Sequence, residues 1–118
     1  MLKQTFREKS QTIRLYIGKE VSKDPFKDIT DFELLACYPI KAIVSDLNFT
    51  QIQWKLSGVN AEKAKLIVFK NKDLSLLKES YKIEINGNFY YGWKVYGELQ
   101  FRQEEEYTQA YVYVKKEV

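Results

Sequence analysis

Carboxylates, lysine and tyrosine are the catalytic groups left to this chain, and only the carboxylates cluster in a way that suggests a centre: Glu104, Glu105 and Glu106 are contiguous, and Asp24, Asp28 and Asp31 fall in one polar stretch. Neither set has the spacing its chemistry needs. A metal or acid–base centre requires carboxylates converging from separate elements, whereas consecutive glutamates in a turn diverge and stay solvated. The three aspartates lack the glycine and the terminal glutamate that a calcium loop places at fixed positions. Histidine is absent altogether, which removes Cys–His pairs, Ser-His-Asp triads and His-based zinc sites together. The single cysteine, Cys37, cannot form an intramolecular disulfide, and its apolar setting, Leu34-Leu35-Ala36-Cys37-Tyr38, predicts a buried, structural thiol. No catalytic, cofactor-binding or metal-ligating residue is expected, and the chain reads as a non-enzyme.

Charge is balanced rather than directive. Nineteen basic and sixteen acidic residues leave a net +3, too weak a field to call for nucleic acid by itself. Locally, Lys63, Lys65, Lys70, Lys72, Lys78 and Lys82 make a basic half-chain. With Trp54, Tyr90 and Tyr96 they could build an aromatic and basic face of the kind that binds single strands.

The elements that must position these groups are mostly strands. From Tyr81 to Lys115 aromatic and β-branched residues alternate with polar ones, interrupted at Asn86-Gly87-Asn88, at Tyr96-Gly97-Glu98 and at Gln103–Glu106. Four short strands in a meander follow. For the first hairpin a two-residue Asn-Gly loop would set Ile83 opposite Tyr90. A three-residue loop would instead pair Ile85 with Phe89, Ile83 with Tyr91 and Tyr81 with Trp93, collecting the large apolar side chains on one core face and leaving Lys82, Glu84, Tyr90 and Lys94 outside; this register is preferred. Gly92 inside its strand predicts a sharp bend. Tyr111 and Tyr113 suit either a core or an interface.

Upstream, Thr12–Ile17 reads as a strand with Ile13, Leu15 and Ile17 on one face, ended by Gly18. Residues 19–31 are polar apart from Val21, Pro25, Phe26 and Ile29, and read as a long loop. Loops of that length are uncommon without a purpose, so Val21, Pro25, Phe26 and Ile29 are the candidate docking residues, with Phe26 as anchor. Strands are expected over Tyr38–Val44, Thr50–Leu56 and Ala64–Lys70, and a helical turn capped by Asp73 leads into the final hairpins. The whole, residues 1–118, is expected to be one all-β domain: a small β-barrel of six to seven antiparallel strands with one short helix and a long loop after the first strand. No apolar run approaches the roughly 20 residues of a membrane helix, and the first residues lack the apolar core of a signal peptide, so cytoplasmic synthesis is expected.

The order of these pieces resembles the head closure proteins of tailed bacteriophages, also called head–tail connectors or stoppers. The resemblance runs from Ile40-Lys41-Ala42-Ile43-Val44 through Lys63-Ala64-Lys65 and the Tyr81–Val95 hairpin to Ala110–Lys116. It implies a small β-barrel that assembles as a homo-oligomeric ring of about twelve copies in the virion neck. The partners it implies are the portal or adaptor protein on one side and tail proteins on the other, with packaged DNA nearby in the channel. Residues 19–31 would be the element that reaches a neighbour. A short N-terminal extension and the Asp73–Ser80 insertion depart from the pattern. Two alternatives stand beside it: another neck component, adaptor or tail-completion protein, and an OB-like module for single-stranded nucleic acid.

Overall fold

The computed structural model describes residues 2–22, 30–56, 58, 61–101 and 105–115. A helix α1 (Leu2–Lys9) precedes β1 (Gln11–Ser22) and β2 (Thr30–Asp46); α2 (Phe49–Lys55) leads to β3 (Ala61–Lys70). A 3-10 turn at Asn71–Asp73 and α3 (Leu74–Glu79) follow, then β4 (Ser80–Ile85), β5 (Asn88–Tyr90), β6 (Gly92–Phe101) and β7 (Glu105–Lys115). All seven strands form one sheet in the order β5-β4-β1-β2-β3-β7-β6, and every pairing is antiparallel. The all-β expectation holds.

The sheet curls without closing its ladder. Its outermost strands, β5 and β6, are consecutive in sequence and separated only by Tyr91, whose N–H donates to the Tyr113 carbonyl at 3.2 Å. One residue therefore carries the chain from one edge of the sheet to the other, at the bend that Gly92 marks. Inside the curl, Ile13, Leu15, Ile40, Ala42, Ile67, Phe69, Ile83, Ile85, Tyr90, Ala110 and Val112 are buried together, and Leu77 of α3 packs among them. A second, smaller core lies outside β3 and β7, where Leu56, Ile52 and Leu47 around α2 meet Ala64 and Tyr111.

Four expectations are corrected. Thr50–Leu56 forms α2 rather than a strand, because Asn48 and Gln51 make a reciprocal capping box: the Gln51 N–H donates to Asn48 Oδ1 at 2.8 Å and the Asn48 N–H to Gln51 Oε1 at 3.0 Å. The alternation of Ile52, Trp54 and Leu56 concealed that signal, and Trp54 is exposed on the helix. The hairpin takes the two-residue loop, with Ile85 opposite Asn88 and Ile83 opposite Tyr90. Asn86 (φ 52°) and Gly87 (φ 82°) both lie in the left-handed region that such a turn requires. Tyr90 thereby turns inward, while Phe89 is half-buried on the outer face and Tyr91 is exposed; of the four aromatics assigned to the core, only Trp93 packs against it. Cys37 is exposed, since it pairs with Tyr16 on an outer face that no described helix covers. The long loop is shorter than residues 19–31, because Lys19–Ser22 and Thr30–Asp31 are strand, paired from Lys19 with Glu33 to Ser22 with Thr30.

Candidate functional site

The β1–β2 pair outruns the rest of the sheet. β1 is paired with β4 only over Arg14–Ile17, and β2 with β3 only over Ala42–Asp46, whereas the ladder between β1 and β2 continues to Ser22 and Thr30. Beyond Ile17 the hairpin is a two-stranded arm, consistent with a long dimension of 51 Å. An isolated two-stranded ribbon is marginal in water and leaves strand edges unpaired.

Two irregularities shape the base of the arm. Ile17 and Gly18 pair with Ala36 and Leu34, so Leu35 is an extra residue on β2; Tyr16 and Ile17 pair with Lys82 and Ser80, so Tyr81 is an extra residue on β4. Bulges bend a strand and re-aim its side chains. Here they bring Tyr81 across β1 to stack on Phe32 of β2, with ring centroids 5.0 Å apart and planes within 5°. Gly18 lies beneath the Tyr81 ring: a Cβ there would sit 2.5 Å from Tyr81 Cε1 and 2.8 Å from the Glu33 carbonyl oxygen.

The aromatic surface continues over the outer face of β5, β4 and β1. Phe89 lies 6.0 Å from Tyr16, and the Lys82 ammonium sits over both rings, 4.8 and 4.7 Å from their centroids. Tyr16 donates its hydroxyl to Glu84 at 2.6 Å, and Arg14 Nη1 lies 3.7 Å from the same carboxylate. The hydrogen bond to Glu84, reinforced by burial, holds the Tyr16 phenol at about 12. Because that value is raised, its contribution to stability is complete below the ordinary phenol range near 10 and is lost as pH rises through about 12. Phenolate absorbance of the folded protein should show the Tyr16 phenol titrating near 12, beside a Tyr90 phenol that burial also raises, and Glu84→Gln should return Tyr16 alone toward 10; an unchanged profile in the variant would refute the assignment.

Apolar side chains at the arm are left open: Phe32, Leu34, Leu35 and Tyr38 are 44, 53, 63 and 44 % exposed. The outside of β3 and β7, by contrast, is covered, by α2 and by Phe6 of α1, whose ring lies 5.1 Å from that of Tyr107. Of the candidate docking residues, Val21 is on β1 opposite Asp31, while Pro25, Phe26 and Ile29 lie outside the described residues, as do Asp24 and Asp28. Sequence reasoning misses Leu34 and Leu35 because it reads their run as the apolar setting of a buried Cys37, and Phe32 because it falls between the expected loop and the strand expected from Tyr38. The available signal was their density beside a polar stretch.

The aromatic and basic half-chain does not come together as one face. Tyr90 is buried; Lys63 lies over its ring at 5.6 Å; Lys65 pairs with Asp46, which raises its ammonium above the usual range; and Lys82 belongs to the outer aromatic surface. No cluster of three or more potential metal ligands occurs among the described residues, and no described helix is long and apolar enough to cross a membrane. Comparison with known protein families, characterised proteins and solved structures finds no significant match to this chain.

Proposed function

We propose that this chain is a non-enzymatic assembly subunit that engages its neighbours through the β1–β2 arm, and that the assembly is the neck of a tailed bacteriophage. There it serves as a ring-forming head closure, or head–tail connector, subunit that joins the portal or adaptor to the tail and helps retain packaged DNA. The observation that carries an assembly role is the arm: a two-stranded ribbon beyond the sheet, with three large aliphatic or aromatic side chains about half exposed in a row. Covering Phe32, Leu34 and Leu35 would contribute on the order of 2–4 kcal/mol at the usual 1.5–3 kcal/mol per fully buried side chain. That is weak for one contact and ample when a closed ring repeats it. The phage assignment rests on the sequence resemblance, with another neck component as the nearest alternative.

Cryo-electron microscopy of virions produced from the native operon tests the proposal. Ring density for this chain between portal or adaptor and tail is expected, with the arm seated on an adjacent subunit. Absence of the chain from the neck of every virion would overturn the phage reading.

A further inference from the structure

At the end of the sheet away from the arm, the outer face of β1 and β2 borders a cleft of about 430 Å³ lined by Phe6, Thr12, Pro39, Ile40, Lys41, Lys70, Lys72 and Asp73. That volume falls within the range of small-ligand sites. Three ammonium groups converge on it from two directions, Lys41 from β2 and Lys70 and Lys72 from either side of Asn71. The turn holding the last two is anchored where the Thr108 hydroxyl donates to Asn71 Oδ1. Lys41 donates to Thr12 Oγ1 at 2.8 Å, which fixes one of its three N–H donors and leaves two for a ligand. Lys70 rests over the Phe6 ring at 5.8 Å. Asp73 is the only carboxylate in the lining among the described residues, and burial pushes it above the usual carboxylate range despite Lys72 and Lys70 nearby. None of the three lysines has a carboxylate within salt-bridge distance among the described residues.

From this arrangement we propose that the cleft is a binding site for the phosphodiester backbone of nucleic acid, held without sequence preference. Three exposed like charges lining one cleft give it a local positive potential that attracts a polyanion. The donor chemistry favours phosphate over an acidic peptide: lysine is a compact point charge suited to tetrahedral phosphate, whereas planar carboxylates are held best by the arginine fork, and the described lining contains no arginine. No sequence preference is expected because the described lining offers no planar Asn, Gln or Arg group for bidentate contact with a base edge, and its lysines are taken up by phosphate. Phosphate binding here does not depend on the arm, since Phe32 and Lys41 are nine residues apart on β2, roughly 30 Å at about 3.4 Å per residue.

Fluorescence anisotropy of labelled single- and double-stranded oligonucleotides, with the full-length protein over a range of salt concentrations, tests the site. Dissociation constants in the 10⁻⁴–10⁻⁶ M range are expected, with log K falling against log salt at a slope of about −2 to −3 for three neutralised phosphates. Lys41→Gln/Lys70→Gln/Lys72→Gln should abolish that slope. Lys72→Gln alone, at an exposed side chain with no hydrogen bond to lose among the described residues, should reduce it by about one and serves if the triple variant does not fold. Asp73→Asn removes the one negative charge and should tighten binding several-fold. Equal affinity in wild type and Lys72→Gln, equal competition by poly-glutamate, or binding of inorganic phosphate alone would each overturn the proposal.

Discussion

Gly18→Ala is expected to destabilise the chain by about 1–3 kcal/mol, the range for forcing atoms into a packed site, and to weaken assembly in the same variant. The added methyl would lie 2.5 Å from Tyr81 Cε1 and 2.8 Å from the Glu33 carbonyl oxygen. The ring could swing aside, at the expense of its stack on Phe32. The carbonyl belongs to the β1–β2 ladder and cannot move without opening the arm at its base. Gly92→Ala makes the useful comparison: its nearest atoms, at 2.2–2.8 Å, all belong to the half-buried Tyr113 ring. A side chain that can rotate gives way more cheaply than backbone, so Gly92→Ala should cost less and leave the arm unaffected. Thermal and urea denaturation of both variants check the ranking; a Gly18→Ala protein as stable as wild type would show that Tyr81 does not hold the arm.

Replacing Leu34 and Leu35 together by serine, which leaves the Phe32–Tyr81 stack in place, should change the stability of the isolated chain by no more than about 1 kcal/mol, since both are more than half exposed there, yet reduce association at least 30-fold. The two halves of that expectation discriminate between roles. Side chains that serve the fold would lower the melting temperature when truncated; side chains kept for a neighbour would alter only the concentration dependence of assembly. Analytical ultracentrifugation beside thermal denaturation separates the cases. Loss of stability with unchanged association would remove the arm from the interface.

The outward aromatic surface and the lysine cleft share an outer face that described helices leave open in different ways. Over β4 and β1, Lys82 lies across Tyr16 and Phe89 and shields rings that would otherwise face water. At the cleft, Phe6 of α1 caps Tyr107 and leaves a gap in which Lys41, Lys70 and Lys72 meet. The arm binding protein and the cleft binding phosphate would place two partners at opposite ends of β2.

Sequence alone determined what depends on neighbours along the chain. Period-two alternation in Thr12–Ile17, Ala64–Lys70 and Tyr81–Ile85 was sufficient for the all-β class, because a pleated strand shows its two faces to different environments whatever lies beyond them. Asn86-Gly87 required a turn, and the absence of histidine excluded whole chemistries without any coordinates. Which face of each strand is inside was another matter. Phe89 and Tyr90 are adjacent and equally aromatic, and only the two-residue register, enforced by positive φ at Asn86 and Gly87, turns Tyr90 inward and Phe89 outward. Leu34 and Leu35 look like core in one dimension and are exposed because β2 runs past every partner but β1. Lys41 stands 29 residues before Lys70, and the two meet because β2 and β3 pair antiparallel next to the turn that carries Lys72. Burial and convergence depend on which strands lie side by side, and that is decided by contacts between residues far apart in the chain, which local pattern does not encode.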